Sequence, residues 1–202
     1  SGNSEGIFGY GANGGYTAVT NLVSNAGVVA TDVVGVGTAR RYLAACEYGG
    51  DKGIFGYGWI GSTLSMTNLV SNTGVVSSDV AGVGTARALG QGACSYGGDK
   101  GIFGYGYTPA VPEVSMTNLV SNAGVVASDT AGVGTARLQI AACEYGEDKG
   151  IFGFGYTISG SSALSMTNLV SNAGVVATDT AGVGTARSSL AACGYGGDKG
   201  IF

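Results

Sequence analysis

Histidine is absent from the 202 residues. Ser-His and Cys-His nucleophile pairs and imidazole metal sites are therefore excluded. Charge is sparse, with nine Lys and Arg against thirteen Asp and Glu. A mildly acidic chain without basic clusters is a poor match for a phosphate backbone, so nucleic acid is not an expected partner. No apolar run approaches the roughly twenty residues of a membrane helix, and no charged-then-apolar leader opens the chain, so membrane insertion is not expected. Proline occurs only twice and tryptophan once.

Glycine, by contrast, occurs 40 times and tyrosine 11, amid abundant Val, Thr, Ser and Asn. That composition describes short strands joined by tight turns, an all-β chain. The stretch from Ser165 to Arg187 recurs almost word for word from Ser65 and Ser115, and more loosely from Ala18. A second block, Gly-Asp-Lys-Gly-Ile-Phe-Gly-Tyr/Phe-Gly, recurs around Ile54, Ile102 and Ile151, with a worn copy at Ile7 and a cut-off one at Ile201. One unit is written four times (approximately 6–52, 53–100, 101–149 and 150–199), as a single repeat domain over 1–202.

The Ile-to-Ile spacing grows from 47 to 48, 49 and 50, whereas the conserved-word Asn always precedes its Arg by 19 residues and each Cys precedes the next Ile by 8. The growth falls between the Ile-Phe strand and the Thr-Asn-Leu strand, plus one residue between Arg87 and Cys94. Paired strands resist a one-residue slip and loops absorb it cheaply, so the constant segments are framework and the variable ones are loops or strand ends. Each period accommodates four strands: in the first unit, Ile7–Tyr10, Thr17–Ser24, Val28–Val34 and Arg40–Tyr48, with turns at Asn25–Gly27 and Gly35–Gly37.

Ala-Arg before a small apolar strand, a glycine-rich turn, Lys-Gly-Ile-Phe-Gly-Tyr-Gly, then a strand and a polar turn resemble the short glycine-rich kelch-like repeats of bacterial surface and phage structural proteins. The likeness covers nearly the whole chain. It departs from the usual pattern where Gly-Tyr-Gly replaces paired glycines and where Trp59 stands at no repeated position. The resemblance implies a β-propeller of four four-stranded blades, the small-residue strands carrying Cys46, Cys94, Cys143 and Cys193 innermost. Closure would come from Arg187–Tyr195 pairing beside Gly6–Gly11; an eight-bladed ring of two chains, or a piece of a longer array, is the rival. Without histidine, the copper chemistry of one kelch-containing oxidase family is not expected.

The repeated charges (Arg40, Arg87, Arg137 and Arg187; one Lys and two Asp per unit) read as structural, with Arg bridging turns or neighbouring blades through bidentate hydrogen bonds. The four cysteines read as buried thiols, with disulfides and a thiolate metal ring as alternatives. Gly-Val-Gly and Gly-Tyr-Gly are turns, not phosphate loops, because no helix with Lys-Ser or Lys-Thr follows. No cofactor, metal or catalytic constellation is called for.

Residues that break the repeat carry the functional expectation. Tyr16, Trp59, Ile60, Tyr107, Glu113 and Tyr156 fall in the variable loops, where rings on a rigid scaffold suit a glycan or protein ligand. The alternative is drift, with the rings lying on their own blade. Arg41, Tyr42, Glu47, Gln91, Glu144 and Glu147 lie near the ends of the inner strands and are expected to form a channel mouth. The chain therefore reads as a non-enzymatic binding module, extracellular or surface- or virion-associated. The alternative is a purely structural or assembly repeat, natural or engineered, self-associating through its terminal strands.

Overall fold

A computed structural model describes residues 5–202. Thirteen strands and no helix occur among them, so no helix is long and apolar enough to cross a membrane. Strands β1 (Gly6–Ala12) and β2 (Tyr16–Val23) form a first sheet. Three complete sheets follow, each antiparallel and in chain order: β3 (Ala44–Tyr48), β4 (Lys52–Trp59) and β5 (Thr63–Val70); β6 (Gly92–Tyr96), β7 (Lys100–Gly106) and β8 (Val114–Val120); β9 (Ala141–Tyr145), β10 (Lys149–Thr157) and β11 (Ser162–Val170). A short pair, β12 (Cys193–Tyr195) and β13 (Lys199–Ile201), ends the series. The cysteine strand leads each complete sheet, the Ile-Phe strand is central, and the Thr-Asn-Leu strand lies beyond it.

The fourth expected strand is loose. Val28–Val34 touches β2 through only two bridges, Val23 to Val29 and Thr20 to Val33, and its valines are exposed. Side chains take the place of the ladder there: the Asn68 amide donates to the Ser77 carbonyl at 3.1 Å and to Asp79 Oδ1 at 2.9 Å, and Asn118 and Asn168 repeat the pattern. The Arg-to-Cys strand begins at Ala44 rather than Arg40 because Tyr42 sits at φ 57°, as Leu89, Gln139 and Ser189 do in the later units at 59°, 54° and 56°. A left-handed residue cannot continue a strand.

Each central strand is bulged at its Gly-Tyr-Gly: the register shifts between Gly9 and Gly11, Gly56 and Gly58, Gly104 and Gly106, and Gly153 and Gly155. Tyr10, Tyr57 and Tyr105 hold φ 64° and Phe154 61°. The bulge turns each ring out of the alternation and onto the next sheet. Tyr10 meets Phe55, Tyr57 meets Phe103 and Tyr105 meets Phe152, each with ring centroids 5.2 Å apart and nearly edge-on. The same phenylalanines lie over glycines: a methyl built on Gly9 would sit 2.9 Å from Phe55, one on Gly56 2.7 Å from Phe103 and one on Gly104 2.8 Å from Phe152, and Phe202 covers Gly153 in the same way at 2.7 Å. Consecutive sheets therefore pack face to face, phenylalanine into glycine, with the core between them.

The repeated arginines rivet these interfaces, as expected of them. Arg40, with no exposed surface, stacks over the Tyr10 ring at 4.4 Å and donates to the Tyr57 carbonyl, the Thr38 carbonyl and Asn68 Oδ1 at 2.8, 3.1 and 2.7 Å. Arg137 repeats this with Tyr105, Phe154, Thr135 and Asn168. Asp79, Asp129 and Asp179 staple the rim: each accepts from the backbone and hydroxyl of the preceding unit's Thr38, Thr85 or Thr135. Turn amides add a third stitch, Gly49, Gly97 and Gly146 donating at 2.7 Å to the carbonyls of Asp99, Asp148 and Asp198.

The expected pairing of Arg187–Tyr195 beside Gly6–Gly11 is not the one found. β12 pairs with β13, its own sequence neighbour, and β1 pairs with β2. Lys199–Ile201 copies the opening strand and lies across a short glycine turn from β12, so its loop-closure cost is far smaller than that of a contact across the whole chain.

Candidate functional site

Four non-repeated side chains that the sequence places in two different regions come together at one edge. Arg41 and Trp59 exchange backbone hydrogen bonds of 3.1 and 2.8 Å. The Arg41 guanidinium lies 5.6 Å from the centre of the Tyr16 ring and 4.6 Å from that of Tyr42. Tyr16 is 40 % exposed and Tyr42 45 %, and Ile60 beyond Trp59 is 37 % exposed. Arg41 Nε is buried without a hydrogen-bond partner. Arg41 and Tyr42 thus belong with the variable-loop residues. Tyr42, with its left-handed φ of 57°, lies just before β3 begins at Ala44, so the two residues expected at a channel mouth precede the cysteine strand and stand with Tyr16 and Trp59.

The same backbone position carries Ala88 and Leu138 opposite Tyr107 and Tyr156. Both tyrosines are half-buried at the ends of their central strands, and neither has a guanidinium beside it among the ring contacts found. The aromatic-cation edge is therefore peculiar to the first two sheets. Glu113 holds the neighbouring loops together, accepting from the Ser159 amide at 2.7 Å and the Ser159 hydroxyl at 2.9 Å.

The remaining mouth residues divide. Glu47 and Glu144 line a groove of about 480 Å³ that runs along β3, β6, β9 and β12 from Cys46 to Cys193. Ser95, at the same position in its strand, donates to Glu144. Burial, then the neighbouring Glu144 charge, push the Glu47 carboxyl above the usual carboxylate range. Glu147 is exposed in the turn before β10, at φ 68°. Gln91 is not at the mouth. It is buried, its amide donating to the Gly56 carbonyl at 3.3 Å, in the place that Leu43 and Ile140 take in other units, and this unit has one inserted residue between Arg87 and Cys94.

That insertion also loosens the rivet beside it. Arg87 reaches the Phe103 and Thr85 carbonyls at only 3.4 and 3.5 Å, and Arg87 Nε, Tyr57 Oη, Asn118 Oδ1 and Gln91 Oε1 are left unpaired. The cysteines are free, Cys94 and Cys143 buried and Cys193 exposed. Burial pushes the Cys46 thiol up to about 12. Cys193, exposed, and Cys46, half-buried, depart from the expectation of four buried thiols; among the described residues no further sheet covers the face of Cys193. Among the described residues no group of three or more His, Cys, Asp or Glu is arranged to hold a metal ion.

Sequence reasoning missed Ser95 and the arginine-bearing rings Tyr10, Tyr57 and Tyr105. The signal for the rings was present in Gly-Tyr/Phe-Gly, where a bulky residue persists between two glycines in every copy; Ser95, at a position that varies between copies, had none. No protein-family model matches the chain, and no curated protein matches it.

Proposed function

We propose that this chain is a non-catalytic binding module of propeller type, its kelch-like blades holding a ligand edge formed by Tyr16, Arg41, Tyr42, Trp59 and Ile60. It acts outside the cell or on a cell or virion surface. The observation that carries the reading is the convergence of Arg41 with two partly exposed tyrosine rings beside Trp59, where the next two units carry Ala88 and Leu138 in place of the arginine. Flat ring faces beside a guanidinium suit a glycan, above all one bearing a carboxylate. The rings offer area at small entropy cost and the guanidinium forms charge-assisted hydrogen bonds. A protein ligand presenting an acidic side chain is the alternative occupant of the same edge.

Trp59 is the single tryptophan, so its emission reports on this edge alone. Titration with neutral and acidic oligosaccharides, and a parallel protein pull-down, should find a ligand that shifts the emission saturably. Arg41→Ala and Tyr42→Ala should each weaken it at least about tenfold, the value of one charge-assisted contact or ring, with the melting temperature unchanged. Empty glycan and protein screens, or variants that bind as the parent does, would remove the proposal.

The purely structural reading rests on the near-identity of the copies. It is favoured by one further observation, the uncovered terminal sheets.

A further inference from the structure

We infer that a second copy of this chain completes the first sheet, and this inference stands apart from the ligand reading. At three interfaces a cysteine of the leading strand drops onto a glycine of the next sheet. A methyl built on Gly101 would sit 2.7 Å from Cys46 Sγ, one on Gly150 2.6 Å from Cys94 Sγ, and one on Gly200 2.5 Å from Cys143 Sγ. Gly53 holds the same place in the second sheet, yet its nearest neighbours are Val70 atoms at 3.5 Å and beyond. A cleft of about 250 Å³ opens there, lined by Ile7, Ala45, Gly53 and Phe55 among others. Among the described residues no strand pairs with β1 on the edge opposite β2. The site has the shape of one cysteine strand of this repeat.

A fitting strand is present on the chain itself. Cys193–Tyr195 is exposed, and its cysteine rests on no glycine.

The second observation is independent and lies on the opposite face. Phe55, Phe103 and Phe152 are at most 4 % exposed, each seated over a glycine of the preceding sheet, whereas Phe8 is 65 % exposed. The glycine seat at the far end, Gly153, is covered by Phe202, which meets Phe154 at 48° rather than near edge-on.

One exchange satisfies both ends. Gly6–Ala12 of the second copy replaces Lys199–Ile201 beside Cys193–Tyr195. Phe8 then takes the Gly153 seat from Phe202, and Cys193 drops onto Gly53. Repeated reciprocally, the exchange closes two chains head to tail and leaves no incomplete sheet. Because the exchanged strand is a copy of the one released, the pairing geometry is the one already built at β3 and β4.

Light scattering on the intact chain should read at least twice 19.8 kDa at high concentration and fall toward one chain on dilution. Phe8→Asp, at an exposed position, should give one chain at every concentration with an unchanged melt. Phe202→Ala, which empties the seat that Phe8 takes, should move the midpoint of assembly to lower concentration by about tenfold or more. Gly53→Cys should form a disulfide with Cys193 between chains under mild oxidation, and Cys193→Ser should abolish it. One chain at all concentrations, assembly indifferent to Phe8→Asp, or a Gly53→Cys crosslink formed within single chains would each overturn the inference.

Discussion

Replacing Gly104 by alanine tests the face-to-face packing at its most crowded point. Gly104 does not have a left-handed φ, so the backbone accepts alanine and the change acts through space alone. The added methyl would lie 2.8 Å from Phe152 Cζ and 3.0 Å from Thr117 Cγ2, inside the distance that carbon atoms tolerate. Phe152 has no exposed surface and is held edge-on by Tyr105. It cannot swing away without opening the core. Overpacking of this kind costs about 1–3 kcal/mol, offset by about 0.4–1 kcal/mol from the lost freedom of glycine in the unfolded chain. The expected net loss is about 1–2 kcal/mol, read by urea denaturation. Phe152→Leu alone should cost about 1–2 kcal/mol through its cavity. In the double variant the methyl fills part of the space the ring leaves, so the losses should fall short of additive by about 0.5–1.5 kcal/mol. Additivity within about 0.3 kcal/mol would mean that the ring and the glycine are not in contact, and would refute the packing.

Three further outcomes are expected. Arg137→Met strips donors from the Phe154 carbonyl and Asn168 Oδ1 in a buried interface and should cost about 3–5 kcal/mol, or roughly 10 °C in Tm; Arg137→Lys should recover less than half, because a point charge cannot span both acceptors. Burial raises the carboxyls of Asp79, Asp129 and Asp179, but hydrogen bonds from Thr and Asn and the nearby guanidinium outweigh it and hold all three below the usual range. Their stabilisation is therefore complete above the unfolded value of about 3.9 and is lost as pH falls through the lower folded values; a Tm that stays flat from pH 5 to pH 2 would contradict the staples. Thiol labelling of the dilute native chain should modify Cys193 first, leaving Cys94, Cys143 and the high-pKa Cys46 thiol until unfolding; four fast thiols would show that the inner strands are not packed.

Much of the frame is visible in the residues because the copies agree where sheets touch. The constant 19 residues from Asn68 to Arg87 and its counterparts keep the Asn that serves one interface in step with the Arg that serves the next, since Asn68 accepts from Arg40 and Asn168 from Arg137 of the preceding unit. The constant 8 from Cys to Ile spans one tight antiparallel pair, Cys46 opposite Ile54. Arginine as an inter-sheet bridge followed from the same constancy. The bulge did not, since nothing in Gly-Tyr-Gly says that the tyrosine, rather than a glycine, takes φ 64°; tertiary contacts with Phe55 and Arg40 hold it there.

Nor was the edge legible. Tyr16 and Arg41 are separated by a strand, a turn and the loose fourth segment, and they come together only in the folded chain. Val28–Val34 reads as a strand by its valines, yet the Asn21 amide, donating to the Ala30 carbonyl and Asp32, substitutes for much of its ladder. Gln91 and Glu113 stand out from the repeat for structural reasons, one filling the buried place of Leu43 and Ile140 and the other tying two loops. Departure from a repeat thus marks repair as well as recognition, and only contact geometry separates the two.

The proposed function separates a frame built of repeated residues from a binding edge around Arg41. Its most direct test is a chain in which Tyr16→Thr, Arg41→Ala, Tyr42→Leu and Trp59→Tyr are made together, matching that edge to other units. Calorimetric titration with a ligand found for the parent should show no binding, while the melting temperature stays within a few degrees. Retained affinity, or collapse of the fold, would contradict the separation of frame from edge.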